Sequence, residues 1–235
     1  MEKVQYIHAS DCALIVSFGV DICETINKKV LALLKALEKE QVAGVVEIVP
    51  TYRDLCISYN PLVQTAENLI EVCKPLLNNL NHEEASEKKV VEVPVVYGGE
   101  YGLDLDYLAA LHKLSPEEVI EIHSALEYRI YMVGFAPGFP YMGGLDERLH
   151  TPRREVPNPK VPSGSVGIGG KQTNVLTITG PSGWWYIGMT PLVFADVEKE
   201  DPTLFKPGDY IKFKPITPEE YELHKEKVSE QGEKQ

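Results

Sequence analysis

No apolar run in this sequence approaches the ~20 residues needed to cross a bilayer, which argues against a membrane-spanning helix. There is no basic excess either: 23 Lys and Arg against 35 Asp and Glu leave a formal net charge of -12. That sign opposes nucleic acid and anionic membranes as general partners, because both are bound through basic patches. Met1-Glu2-Lys3 leads straight into polar sequence, without the charged and then apolar regions of a secretory signal, so a cytoplasmic protein is expected. Cysteine is scarce. Cys12, Cys23, Cys56 and Cys73 all lie in the first third and form no C-x-x-C pair. Their apolar neighbours, such as Leu55 and Ile57 around Cys56, predict buried thiols acting as small hydrophobes rather than a disulfide framework. The six histidines (His8, His82, His112, His123, His150 and His224) show no H-x-H or H-x-x-x-H spacing, so no metal site is expected.

What is present suits a soluble α+β protein. At 235 residues with 43% hydrophobic content, the chain has room for two domains. Residues 4–9 and 12–18 read as strands, followed by a helix opened by Asp21 with Glu24 three residues on, a capping-box pattern. Ile22, Ile26, Val30 and Leu37 continue it at helical spacing to Glu38. Residues 44–49 and 54–58 read as the next strands, and Asn60-Pro61 as the start of a second helix. The order is ββαββα, a two-layer unit over residues 1–85 with its helices on one face. Residues 78–89 are polar and charged and read as a linker.

Beyond the linker the pattern changes. A strand is expected at 90–97 and a short helix at 104–112. Ser115-Pro116-Glu117-Glu118 supplies an N-cap, an N1 proline and an N3 carboxylate for a helix to about residue 125. Further strands are expected at 128–135, 165–168, 175–179, 184–188, 192–197 and 210–214, broken by Gly and Pro turns, which suggests a β-barrel over 90–217. Thr217-Pro218-Glu219-Glu220 starts a short last helix, and 228–235 reads as a frayed tail, together making up residues 218–235.

Glycine, proline and aromatic residues concentrate at 133–191, a composition that specifies a shaped backbone surface. Position by position, the stretch excludes several chemistries. Ser165–Lys171 has Gly170-Lys171 but lacks the first glycine of a phosphate loop, and Gln172 stands where its hydroxyl should be. The dinucleotide pattern G-x-G-x-x-G also fails at Gln172. Gly180-Pro181-Ser182-Gly183-Trp184 ends in Trp where a nucleophile elbow needs Gly, and Ser163 and Ser165 miss that pattern too. Arg153 and Arg154, between Pro152 and Pro157, suit either a bidentate anion clamp or ion pairs with Asp146, Glu147 or Glu155. Phe135, Phe139, Tyr141, Trp184, Trp185 and Tyr186 suit either a pocket lining or the barrel core. His123, late in the Ser115 helix, suits either a satisfied interface histidine or proton transfer.

Three groups of motifs together resemble one family. They are Gly134-Phe135-Ala136-Pro137-Gly138-Phe139 with Tyr141, Gly144 and Leu145; Pro152-Arg153-Arg154 with Pro157; and Val161-Pro162 with Gly164-Ser165-Val166, Gln172-Thr173, Gly183-Trp184 and Gly188 with Thr190-Pro191. The chain is similar along its length to the family formed by the B subunit of 5-oxoprolinase and KipI, which includes allophanate hydrolase subunit 1, and to part of the urea carboxylase carboxyltransferase domain. The resemblance implies a small α+β domain followed by a cyclophilin-like β-barrel. It implies opening of 5-oxo-L-proline to L-glutamate coupled to ATP hydrolysis, in a complex with the C and A subunits of 5-oxoprolinase. This chain and the C subunit would activate the lactam by phosphorylation, with ATP and Mg shared with or held by the partner, and no metal held by this chain. With residue chemistry it implies that Arg153 or Arg154 holds the substrate carboxylate and that Phe135, Phe139 and Tyr141 form an apolar wall. Gln172 and Thr173 would bond the ring, Ser163 and Ser165 would lie in the same substrate site, and His123 is the candidate for proton transfer. The family also implies two other roles: inhibitor of a sensor histidine kinase, or accessory subunit for allophanate or urea chemistry. Where the family carries Gly-Arg-Thr-Pro and Gln-Thr-Gly, this chain has Met189 and Asn174.

Overall fold

A computed structural model describes residues 4–80, 88–196, 198 and 202–232. The chain divides into two compact units, 1–88 and 89–235. In the first, β1 (Gln5–Ser10), β2 (Ala13–Ser17), α1 (Glu24–Glu40), β3 (Val45–Pro50), β4 (Asp54–Tyr59) and α2 (Ala66–Asn78) follow one another as ββαββα. The four strands form one antiparallel sheet in the order β1-β2-β4-β3. Alternation along β2 and β4 sends Leu14, Val16, Leu55, Ile57 and Tyr59 to one face. There they pack with Val30, Leu33 and Leu37 of α1 and Leu69 and Cys73 of α2.

Both helices in this unit begin later than the sequence suggests. α1 is capped by Cys23 in extended conformation with no side-chain bond, so the Asp21–Glu24 box does not form. α2 starts after Thr65, whose Oγ1 accepts from Asn68 N at 3.2 Å. Asn60 instead folds the chain into a turn, its Oδ1 accepting from Leu62 N. The expectation of four buried thiols holds only for Cys73, whose thiol burial pushes up to about 11. Cys12 is exposed in the β1–β2 turn, Cys23 sits at the helix cap, and Cys56 points to the sheet face away from the helices. Of the expected linker, residues 81–87 lie outside the described residues.

The second unit is built on β5 (Val90–Tyr97), α3 (Leu105–His112), α4 (Pro116–Ala125), β6 (Glu127–Val133), β7 (Pro140–Gly143), β8 (Asn158–Val161), β9 (Ser165–Gly169), β10 (Gln172–Val175), β11 (Gly180–Ser182), β12 (Trp185–Met189), β13 (Tyr210–Pro215) and α5 (Pro218–Gly232). Seven strands form a sheet in the order β10-β9-β12-β5-β13-β6-β7, with β5 and β13 parallel and every other pair antiparallel. The sheet curls into a nearly closed barrel around Val93, Val95, Tyr128, Ile130, Val166, Ile168, Ile187, Ile211 and Phe213. At the seam between the two edge strands, Gln172 Nε2 of β10 donates to Met142 O of β7 at 3.2 Å. α4 carries the expected capping box, with Glu118 N donating to Ser115 Oγ and Ser115 N to Glu118 Oε2.

Several strands fall elsewhere than expected. The run at 175–179 is not one strand: β10 ends at Val175 and β11 begins at Gly180, pairing with β8 in a separate two-stranded ribbon. Residues 192–197 form no strand among the described residues, making only the bridge Ala195–Thr203. The last helix extends to Gly232, through much of the expected frayed tail, and residues 233–235 lie outside the described residues. No helix among the described residues is long and apolar enough to cross a membrane.

Candidate functional site

Outside the barrel core lies a smaller apolar cluster of Ala136, Phe139, Val161, Leu176 and Tyr186, with Tyr141 and Trp184 packed against it. A cleft of about 330 Å³ opens beside it, lined by Phe135, Phe139, Arg153, Pro157, Asn174 and Trp184 among others. Phe135 stands 77% exposed in the β6–β7 loop with φ +68°, a left-handed conformation that costs a non-glycine residue energy. The loop is held shut by Gly134 N donating to Phe139 O at 3.1 Å. Phe135 meets Phe139 edge-on at 5.4 Å, and Phe139 meets Tyr141 edge-on at 5.0 Å, forming a continuous aromatic wall.

The two arginines separate in role. Arg154 is ion-paired with Asp104, which caps α3, and its guanidinium lies 4.0 Å from the Trp185 ring centroid. Asp104 also accepts from Tyr186 N at 2.7 Å, and Arg154 N donates to Gly183 O at 2.8 Å. Arg154 thus fastens three segments together, and its acid partner is none of Asp146, Glu147 or Glu155. Asp146 is taken by Arg148 at 2.8 Å, which holds its carboxyl at about 2. Arg153 has no acid partner among the described residues. It is exposed at the cleft, its guanidinium 5.0 Å over the Trp184 ring.

The polar atoms of the cleft are less complete. Asn174 is only 2% exposed, and its Oδ1 is buried without a hydrogen-bond partner. Arg154 Nε is buried and unbonded as well. Ser182 Oγ accepts from Tyr186 Oη at 2.7 Å and from Trp184 N at 3.3 Å. Opposite Asn174 in β9 stands Gly167, where a Cβ would lie 2.9 Å from Trp185 O and from the Tyr186 ring. Sequence reasoning does not mark Asn174, Asp104 or Ser182 as site residues. Asn174 carries a signal as a departure from the family pattern, and Ser182 only as the serine of a failed nucleophile-elbow match.

The remaining sequence candidates lie away from this cleft. Gln172 closes the barrel seam as described. Thr173 points into the core, its Oγ1 donating to Gly167 O at 3.0 Å. His123 is fully buried there: its Nε2 is 2.8 Å from Thr173 Oγ1, its Nδ1 2.8 Å from Tyr97 Oη, and its ring stacks on Phe213 at 4.6 Å. Desolvation lowers its pKa to about 3. This geometry corrects the proton-transfer expectation, because both ring nitrogens are already bonded within the core. Ser165 is buried in β9. Ser163, with Oγ donating to Thr177 O at 2.8 Å, lines a second cleft of about 410 Å³ with Pro137, Leu176, Thr177, Phe194 and Asp196. Met189 lines neither cleft; it packs near Gly164.

The carboxyltransferase domain, subdomain C and D, family model matches residues 4–205. The chain is 39% identical over 234 residues to the B subunit of 5-oxoprolinase from Bacillus subtilis, covering 95% of this chain and 98% of that protein. It is 40% identical to the Haemophilus influenzae B subunit of 5-oxoprolinase, covering 80% and 86%. Among solved structures, TTHA0988 matches with TM-score 0.77 at 33% identity over 87% of this chain, which spans 40% of that longer protein. The uncharacterized protein PH0987 of Pyrococcus horikoshii is 45% identical, with TM-score 0.56, over 92% of this chain and all of that one. At 20% identity, the Kluyveromyces lactis urea amidolyase shares the fold with TM-score 0.79 over 96% of this chain and 15% of that protein. By these likenesses the chain belongs to the carboxyltransferase subdomain C and D family and, within it, to the B-subunit proteins of 5-oxoprolinase.

Proposed function

We propose that this chain is one component of an ATP-dependent 5-oxoprolinase and that its aromatic cleft holds 5-oxo-L-proline while the C and A subunits complete the reaction. The observation that carries the reading is Arg153, a guanidinium without an acid partner among the described residues, at the mouth of an apolar cleft. 5-Oxoproline is a small ring bearing one carboxylate. An unpaired guanidinium suits the carboxylate through two parallel hydrogen bonds, and Phe135, Phe139 and Trp184 suit the ring methylenes. A lactam resists hydrolysis through amide resonance. The contribution assigned to this chain is therefore to fix the ring in one orientation and exclude water from it.

On this reading ATP and Mg²⁺ are shared with or held by the partner subunits, and the one phosphate-loop-like run of this chain does not have that loop's setting. Gly170-Lys171 is the tight turn of the β9–β10 hairpin, not a strand-to-helix junction. Of the two cleft arginines, one is already neutralised by Asp104.

The test is reconstitution with the C and A subunits, following oxoproline-dependent ADP release. Arg153→Ala is expected to raise KM at least tenfold with its folding intact, from loss of a charge-assisted contact. Arg154→Ala is expected to lower the unfolding midpoint as well, because it leaves Asp104 without its partner. An unchanged KM in Arg153→Ala removes the carboxylate clamp.

A further inference from the structure

Two arginines in tandem lie against two tryptophans in tandem. The Arg153 guanidinium sits 5.0 Å over the Trp184 ring, and that of Arg154 sits 4.0 Å over Trp185. The backbone that carries Arg153 is fastened on both sides of it. Thr151 bridges Gly170 in the β9–β10 turn, its N donating to Gly170 O at 3.0 Å and its O accepting from Gly170 N at 2.6 Å. Trp185 Nε1 donates to Pro152 O and Arg154 N to Gly183 O, both at 2.8 Å. The indole beneath Arg153 is seated as well. A Cβ on Gly169 would lie 2.7 Å from Trp184 Cδ2, closer than to any other atom of that ring. Cδ2 is a ring-fusion carbon, so Gly169 meets the face of the indole, and only a residue without a side chain lets the ring rest there.

The two pairs hold their cations differently. Arg154 gives a terminal nitrogen to Asp104, so its stack on Trp185 adds to an ion pair. Arg153 is the exposed member and has the Trp184 ring without an acid partner among the described residues. A guanidinium is planar, and its five N–H groups all lie in that plane. An aromatic ring holds it by the face and leaves the N–H edge free, whereas a carboxylate takes the edge. Trp184 therefore restrains Arg153 without occupying the hydrogen bonds that an incoming carboxylate needs. An arginine with no such support gives up its side-chain freedom on binding, which weakens affinity.

We propose that Trp184 is a positioning residue for the carboxylate clamp: seated on Gly169, it holds the Arg153 guanidinium by its face, with the N–H edge set toward the cleft before substrate arrives. This rests on the assignment of 5-oxoproline to the cleft and adds the element that preorganises its anchor. Trp184 also lines the cleft, so its action through Arg153 has to be separated from any contact of its own with the substrate ring.

The reconstituted complex, followed by oxoproline-dependent ADP release, makes that separation. Trp184→Leu is expected to raise KM about fivefold with kcat held within about twofold, whereas a loss of folded protein lowers kcat and leaves KM alone. Trp184→Phe keeps an aromatic face and is expected to raise KM only about twofold. Gly169→Ala displaces the indole without removing it; it is expected to raise KM as Trp184→Leu does, and it replaces that variant if the leucine does not fold. The deciding comparison is made in Arg153→Ala. There, adding either change is expected to raise KM by less than about twofold, because the group being positioned is already gone. A further rise of about fivefold in that background means that the indole acts on the substrate directly. That result, or an unchanged KM in both Trp184→Leu and Gly169→Ala, overturns the positioning role and leaves the functional assignment standing. A wild-type complex that releases no ADP in the presence of 5-oxoproline overturns both.

Discussion

His123 shows how a single residue can look reactive in sequence and be inert in the fold. Thr173 Oγ1 donates to Gly167 O, so at its other lone pair it accepts from His123 Nε2–H; Nδ1 then accepts from Tyr97 Oη. The chain runs in one direction, Tyr97 to His123 to Thr173 to Gly167, and it works only for the neutral ring. Protonation would turn Nδ1 into a donor facing a phenol that burial holds well above its usual pKa. With a folded pKa of about 3, against about 6.5 unfolded, the unfolded chain binds the extra proton throughout that window. The stability this confers is complete above about pH 6.5 and is lost as pH falls toward 3. Measured by urea unfolding between pH 7 and 4, wild-type stability is expected to fall more steeply than that of His123→Leu. The difference approaches one proton, about 1.4 kcal/mol per pH unit, at the middle of the window. Parallel pH profiles for the two proteins would show that His123 is not held neutral.

At the scale of elements, what the sequence discloses depends on whether the deciding contacts are local. Ser115-Pro116-Glu117-Glu118 and Thr217-Pro218-Glu219-Glu220 carry their capping partners within three residues, and both form as read. Asn60-Pro61 carries the same kind of signal, yet Asn60 spends its side chain on a turn and Thr65 becomes the cap. The ribbon strands β8 and β11 and the edge strand β7 escape a sequence reading because each is only three or four residues long and one of those is a proline, Pro159, Pro181 or Pro140, which leaves no alternating run to read; β5, eight residues long, is legible despite Pro94. Proline is tolerated where one side of the ladder is unpaired, and Pro94 of β5 fits that rule because β5 pairs with β12 only at Val96 and Tyr97. The site divides in the same way. Arg153 and the aromatic wall are legible because residue type and local spacing mark them. The Arg154–Asp104 pair joins residues 50 apart, and only the folded barrel brings them together. The caps make a quantitative contrast. Thr65→Ala is expected to lower stability by about 1 kcal/mol, and Cys23→Ser to raise it by a few tenths to about 1, since Cys23 caps α1 with no side-chain bond. Chemical denaturation of both variants checks this, and a neutral Thr65→Ala would mean that the cap contributes nothing.

For the whole molecule, the question is whether one folding unit or two carries the stability. The four-stranded sheet draws every strand from residues 5–59, and its core of Leu14, Val16, Leu55 and Ile57 closes against two helices of the same segment. The seven-stranded sheet draws every strand from residues 90–215 and encloses a separate core. Neither sheet borrows a strand from the other unit, so cutting between residues 88 and 89 interrupts no ladder. We therefore expect residues 1–88 and 89–235, produced separately, each to unfold cooperatively. Size alone makes the shorter piece the more marginal, because a smaller domain buries a smaller fraction of its surface. The acid sensitivity ascribed to His123 must then travel with the longer piece: its stability should fall between pH 7 and 4 as in the full chain, and the His123→Leu change should flatten it. The shorter piece should lack that component. If the longer piece instead melts without a cooperative transition, the barrel depends on the first unit, and two independent cores are not two independent domains.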